Sequence, residues 1–162
     1  MDSADPAAGT PACPEACSGG RVYIRRVAQM ITERMLLDQE AGFAKAFSRA
    51  DLEIARPLYH PAVVYLSPTV QLFGWPARIE GIEKTLEFIG LTIAALDAIE
   101  YRLVEHALIG DGAGAFVRIH FDWNRDGRRW RSNYVVIYRY RDGRIGQQEL
   151  YYDPSGRLEM LA

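Results

Sequence analysis

The sequence is poor in the residues that build metal centres and disulfide frameworks. It has two cysteines and three histidines in 162 residues. Both cysteines, Cys13 and Cys17, fall in one Pro/Ala/Gly-rich stretch near the start. Zinc usually takes four ligands, so two thiols alone make a poor site, and no metal is expected. The plainer reading is a pair of tail thiols in a reducing compartment. Apolar runs stop far short of the roughly 20 residues that span a bilayer. The opening Met1-Asp2-Ser3 lacks the basic and apolar regions of a secretory signal, so a cytoplasmic location is expected. Neither sign of charge is in excess: 19 Lys and Arg against 21 Asp and Glu leave a net −2. No global field therefore draws the chain to nucleic acid or to a membrane surface. Internal repeats are absent. The one glycine cluster, Gly110-Asp111-Gly112-Ala113-Gly114, lies between two expected strands. It has no helix N-terminus to hold phosphate and is no dinucleotide fingerprint, so no cofactor is expected.

What is present is a long strand-forming stretch, Ala115 to Pro154, punctuated by Asp126-Gly127 and Asp142-Gly143. Asp-Gly suits type I′ turns, which need positive φ at both central residues. The stretch therefore reads as three antiparallel strands in two hairpins, and turn centres give a register by counting. Around the first, Trp123 faces Trp130, Asp122 faces Arg131, His120 faces Asn133 and Arg118 faces Val135. Around the second, Val135 faces Leu150, Asn133 faces Tyr152 and Ile137 faces Gln148.

Earlier segments fill in the rest. Residues 1–20 cannot bury enough surface to repay ordering and are expected to be a disordered tail; residues 21–162 are expected to form one domain. Helical spacing runs from Val22 to Ser48, through Ile24, Val27, Ile31, Met35, Phe43 and Phe47. Asp51 can cap a short second helix to Tyr59, with Pro61 ending it. Ala62–Ser67 reads as a strand, the segment after Pro68 as a long loop carrying Phe73 and Trp75, Ile82–Ala95 as a helix, and Ala98–Ile109 as a long strand. Helices followed by a run of antiparallel strands indicate an α+β fold with helices on one face of a curved sheet.

Alternation along the last strands separates two faces. One carries Phe116, Arg118, His120, Asp122, Arg131, Asn133, Val135, Ile137, Gln148, Leu150 and Tyr152. Ionisable residues among apolar ones suggest a pocket wall. The other, with Val117, Ile119, Phe121, Trp123, Trp130, Tyr134, Val136, Tyr138, Tyr140, Ile145 and Tyr151, is broadly aromatic and reads as an interaction surface.

The helical start, LYHPAVVYLSP, RIEGIEKTLEFI and the ending RDGRIGQQELYYDP, in this order, resemble the nuclear transport factor 2-like superfamily: cystatin-like cones that include SnoaL-like polyketide cyclases, limonene epoxide hydrolase and ketosteroid isomerase. The resemblance covers about residues 32–161. It implies a cystatin-like α+β cone and a homodimer through the outer sheet face. In limonene epoxide hydrolase a Tyr and an Asn on the early strand, an Arg-x-Asp pair and a last-strand Asp activate water. By position these fall on Tyr65, Ser67, Arg118, His120 and Leu150. Three of the five differ, and the water-activating carboxylate is missing, which argues against epoxide hydrolysis by that route.

The chemistry expected from the residues is therefore cofactor-free acid–base catalysis on a hydrophobic small molecule: isomerisation, cyclisation or dehydration. His120, with a pKa near neutrality, is the candidate acid/base and Asp122 its partner. Arg118, Tyr65, Asn133, Tyr152, Gln148 and Trp75 are the candidate binding residues. The alternatives are a non-catalytic binder or a dimerisation module of the same fold. Arg125, Arg128, Arg129 and Arg131, around Trp130, read as a solvated hairpin tip rather than a nucleic-acid patch.

Overall fold

The computed structural model describes residues 30–152 and 159–161. The expected disordered tail and the helical spacing through Ile24 and Val27 lie outside the described residues. The first helix, α1, runs Glu33–Arg49 and is capped by Thr32, whose hydroxyl accepts from the Met35 N–H at 3.3 Å. Ile31 therefore precedes the helix instead of lying on it. Its N–H donates to Gly112 O at 3.1 Å, a backbone approach so close that a Cβ on Gly112 would sit 2.2 Å from Ile31 O. Met35 is 38% exposed, and the buried stripe is Leu36, Gln39, Glu40, Phe43 and Ala46.

The expected second helix is instead two 3-10 turns, Leu52–Ile54 and Arg56–Leu58, the first capped by Asp51 as expected. Pro57 lies in the second turn, where its missing N–H limits helix growth. Strand β1, Tyr59–Leu66, begins before Pro61 rather than after it. Pro61 falls in the irregular stretch between the paired residues Tyr59 and Val64, where no ladder donor is needed. The expected loop after Pro68 is a 3-10 helix, Pro68–Phe73, followed by a short strand β2, Arg78–Glu80. Helix α2, Ile82–Ala94, and strand β3, Asp97–Ile109, fall where the spacing put them.

Strands β4 (Gly114–Arg125), β5 (Arg128–Arg141) and β6 (Arg144–Tyr152) form the two hairpins. Asp126, Gly127, Asp142 and Gly143 all have positive φ, as type I′ turns require. A last strand, β7 (Glu159–Leu161), pairs with β5 where the sequence suggested a tail turn. The sheet has seven strands in the order β2-β1-β6-β5-β4-β3, with β7 beside β5. It is mixed rather than purely antiparallel, because β1 and β6 run parallel. No described helix is long and apolar enough to cross a membrane.

The first hairpin has the counted register, Trp123 opposite Trp130 and His120 opposite Asn133. The second does not. Tyr140 pairs with Ile145, but Arg139 pairs with Gln147, so Gly146 is an extra residue in β6. This bulge shifts everything beyond it by one: Tyr138 faces Gln148, Val136 faces Leu150 and Tyr134 faces Tyr152. The expected pairs of Val135 with Leu150, Asn133 with Tyr152 and Ile137 with Gln148 are corrected accordingly.

The assignment of faces is corrected too. The aromatic face is the concave one, covered by the helices. Phe43 of α1 packs within 5.7–6.5 Å of the Tyr59, Tyr101 and Tyr138 rings, and Phe47 stacks on Tyr101 at 5.3 Å. Val117, Ile119, Phe121, Trp123, Tyr134, Val136 and Tyr138 are all buried there. That set is not available to a partner copy. The mixed face with Arg118, His120 and Asn133 is the convex outside.

Candidate functional site

Inside the cone lies a cavity of about 330 Å³. That is within the range of small-molecule pockets. Phe43 and Phe47 of α1 form one wall, with Ile89 and Thr92 of α2, and Leu72 and Phe73 of the 3-10 segment, beside them. The sheet supplies Tyr101 from β3, Phe121 and Trp123 from β4, Ser132, Tyr134, Val136 and Tyr138 from β5, and Gln148, Leu150 and Tyr152 from β6. Tyr59 and Tyr65 enter from β1. Each is there by strand parity: odd positions of β4 point inward, even positions of β5 do, and after the Gly146 bulge the even positions of β6 join them.

Six of these lining residues are tyrosines. Burial pushes their hydroxyls above the ordinary phenol range, so each is a neutral hydrogen-bonding group. The Tyr59 hydroxyl donates to Gln148 Oε1 at 2.7 Å, which fixes the amide and turns its NH₂ group away from that bond. The Tyr134 ring lines the cavity beside that of Tyr152, their centroids 5.4 Å apart.

Behind the tyrosines sits Glu40, 2% exposed. Its carboxyl accepts from the Tyr101 hydroxyl at 2.5 Å and from Gln39 Nε2 at 3.0 Å, and the Tyr138 hydroxyl reaches it as well. Burial outweighs these bonds and holds the carboxyl above its ordinary value of 4.5. Sequence reasoning passed over Glu40, although a signal was there. It lies four residues after Leu36 and three before Phe43, a charged residue on an apolar helical stripe.

The sequence-derived candidates divide. Tyr65, Gln148 and Tyr152 line the cavity. Trp75 does not; it packs on Phe88 of α2 at 5.7 Å, and Phe73 beside it is the ring that reaches the cavity. His120, Asp122, Arg118 and Asn133 lie on the convex face and are not brought together with the others. There they form ion pairs and hydrogen bonds. Asp122, 4% exposed, accepts from Arg131 Nε at 2.7 Å and Nη2 at 2.9 Å, and these bonds hold its carboxyl below the ordinary range. Arg102 Nη2 lies 3.1 Å from His120 Nδ1. Burial, then Arg131 and Arg102, lower the His120 pKa, so the imidazole stays neutral and is a poor base. Arg118 pairs with Glu105 at 2.8 Å. Asn133 Oδ1 is buried without a partner among the described residues.

Leu150, on which the last-strand carboxylate of the epoxide hydrolases falls by position, does line the cavity and is apolar. Arg118 and His120, carried over from the Arg-x-Asp pair, face outward, so the carry-over fails on that strand. Neither a carboxylate nor an imidazole lines the cavity among the described residues. Arg125 is the charged lining residue. No three His, Cys, Asp or Glu side chains cluster to hold a metal ion among the described residues.

A curved sheet closed by helices over an apolar, tyrosine-lined cavity defines the nuclear transport factor 2-like α+β cone. Within that class the chain belongs to the SnoaL-like domain family, whose model matches residues 40–147. No curated protein matches it. Solved structures of the same fold include a hypothetical protein with a ketosteroid isomerase-like fold from Catenulispora acidiphila in complex with trimethylamine. It is 14% identical, with 77% of this chain and 89% of that one covered and a TM-score of 0.61. A putative polyketide cyclase from Sinorhizobium meliloti is 19% identical over 70% of this chain and 94% of that one, TM-score 0.56. An LEH-like epoxide hydrolase from M. tuberculosis is 18% identical over 74% and 84%, TM-score 0.57. At these identities the likeness concerns the fold.

Proposed function

We propose that the chain is a small SnoaL-like enzyme that performs cofactor-free acid–base chemistry on a hydrophobic molecule held in the cone. The observation that carries this reading is the protonatable Glu40 carboxyl, hydrogen-bonded to a tyrosine that lines an otherwise apolar cavity. The aromatic walls would hold the body of the substrate. Gln148 Nε2 and the hydroxyls of Tyr134, Tyr65 and Tyr152 would donate to a carbonyl oxygen and stabilise the negative charge that builds there on enolisation. The Tyr101 oxygen would take the α-proton of the substrate as its own hydroxyl proton passes to the ionised Glu40 carboxylate, and the electron pair of the broken C–H bond would move onto the carbonyl oxygen. The reverse transfer, to the same carbon or another, restores the pair. A buried carboxyl held above its ordinary value both takes and gives up a proton more evenly than an exposed one. Isomerisation, cyclisation and dehydration all use such a step.

The test is enzyme-dependent exchange of α-protons. Cyclic ketones and polyketide-like phenols are incubated with the protein in D₂O and followed by NMR. The expected result is deuterium incorporation for at least one compound, falling about tenfold or more in Glu40→Gln and Tyr101→Phe, the scale of a lost general acid–base group. A second reading, a non-catalytic binder of the same molecules, is favoured by apolar Leu150 at the usual carboxylate position. Binding without exchange by any compound of the panel would support it instead.

A further inference from the structure

The concave side of the β4–β5 hairpin changes character toward its tip. Going outward, the opposed pairs are Val117–Val136, Ile119–Tyr134, Phe121–Ser132, Trp123–Trp130 and finally Arg125–Arg128. Two arginines thus stand directly opposite each other on the inward-facing side, at the point where the cavity wall meets solvent. Like charges directly opposite on adjacent strands are destabilising. Neighbouring arginines are neutralised. Arg129 bonds Glu100 at 2.9 Å and Ala98 O at 2.8 Å, and Arg131 holds Asp122, all from the convex side. Among the described residues Arg125 pairs only with the turn residue Asp126, at 3.8 Å, and both side chains are well exposed. Arg128 has no ion pair among the described residues.

Beside this pair lies an open groove of about 430 Å³, lined by Trp123, Arg125, Asp126, Arg128 and Trp130. Trp123 and Arg125 line the cone as well, so groove and cavity share a wall. Among the described residues the cavity lining holds no carboxylate, and the rim holds two arginines against the one exposed carboxylate of Asp126. We infer that the ligand is an amphipathic organic anion: its hydrophobic body lies in the cone, and its acidic group, a carboxylate or sulfonate, is held between Arg125 and Arg128 at the mouth. The inference rests on the reading of the cone as a small-molecule pocket and narrows its substrate class. It also gives the two arginines a role that a solvated tip would not need. An anion between them removes the repulsion, and the planar guanidinium forks suit its paired oxygens.

Two probes with the same ring skeleton separate the parts. N-phenyl-1-naphthylamine is neutral, and 8-anilinonaphthalene-1-sulfonate adds one sulfonate; both report binding by fluorescence. The wild-type protein is expected to bind the sulfonate about tenfold more tightly than the neutral probe at low salt, the scale of 1.4 kcal/mol. That preference should shrink as salt is added. In the double variant Arg125→Gln/Arg128→Gln the preference should disappear while neutral-probe affinity stays unchanged. Arg125→Lys/Arg128→Lys should keep most of it. Leu150→Trp, which fills the cone, should weaken both probes.

Equal loss of both probes in the double glutamine variant, or no loss of the sulfonate, would overturn the inference and leave the cone reading standing. Sulfonate binding untouched by Leu150→Trp would place that probe on the tip alone and overturn it too. Failure of the wild-type protein to bind the neutral probe would remove the cone reading, and this inference with it.

Discussion

Replacing Glu40 by Gln isolates the buried carboxyl from every other titrating group. In the folded chain Glu40 is surrounded by Gln39 on α1, Tyr101 and His106 on β3, Tyr138 on β5 and Tyr59 on β1, and burial raises its pKa above the ordinary 4.5. Between the ordinary value and the folded one, the native state binds more protons than the unfolded chain. Stability therefore falls as pH rises through that window. One proton sets a limiting slope of about 1.4 kcal/mol per pH unit. Glutamine keeps the shape and an oxygen for the Tyr101 hydroxyl, but carries no charge. The stability of Glu40→Gln minus that of wild type should thus rise from pH 4.5 upward and level off once the native carboxyl is ionised. For a chain of this length 1 kcal/mol moves Tm by about 2–4 °C, so the two melting curves should converge or cross by several degrees over the window. Thermal unfolding followed by tryptophan fluorescence between pH 4 and 9 measures this. A difference in Tm that is flat with pH would mean that the carboxyl titrates like an exposed one, and the acid–base role proposed for it would fail.

The convex network gives the opposite sign. Asp122 is held below its ordinary 3.8 by the Arg131 hydrogen bonds, so its contribution is present above that value and is lost as pH falls through the lower folded pKa. Asp122→Ala, which removes the two hydrogen bonds from Arg131, should cost about 2 kcal/mol in urea unfolding at neutral pH, and little in strong acid. His120→Ala, on the outer face, should leave binding of N-phenyl-1-naphthylamine within twofold of wild type, whereas Leu150→Trp should weaken it at least tenfold; fluorescence titration decides both.

The parts of the fold visible in the sequence were those set by local chemistry. Asp-Gly pairs fixed both hairpins, and the uninterrupted strands around Asp126-Gly127 let the pairing be counted to the residue. In the second hairpin counting failed at Gly146, where the only local mark of a bulge is a glycine inside a strand. The two 3-10 turns before β1 and the 3-10 segment after it have too few residues to show a period. Choosing which face looks inward needed tertiary information. A satisfied ion-pair network and an active site have the same residue types, and only the helices lying over Tyr101, Phe121 and Tyr138 distinguish them. Tyr65, Gln148 and Tyr152 were legible as cavity residues, the last two because the bulge and the reversed choice of face offset each other. Glu40 escaped because attention fell on the apolar members of its stripe.

The single surplus residue in β6 has a consequence for how such a cone can change. With Gly146 in place, the interior receives Gln148, Leu150 and Tyr152, while Glu149 and Tyr151 look outward. Taking that glycine into the ladder as an ordinary paired residue, with both turns kept, would exchange the two sets and hand the chamber an acidic side chain in place of an amide neighbour. One bulge thus separates this lining, which has no carboxylate among the described residues, from one with an acidic group of its own.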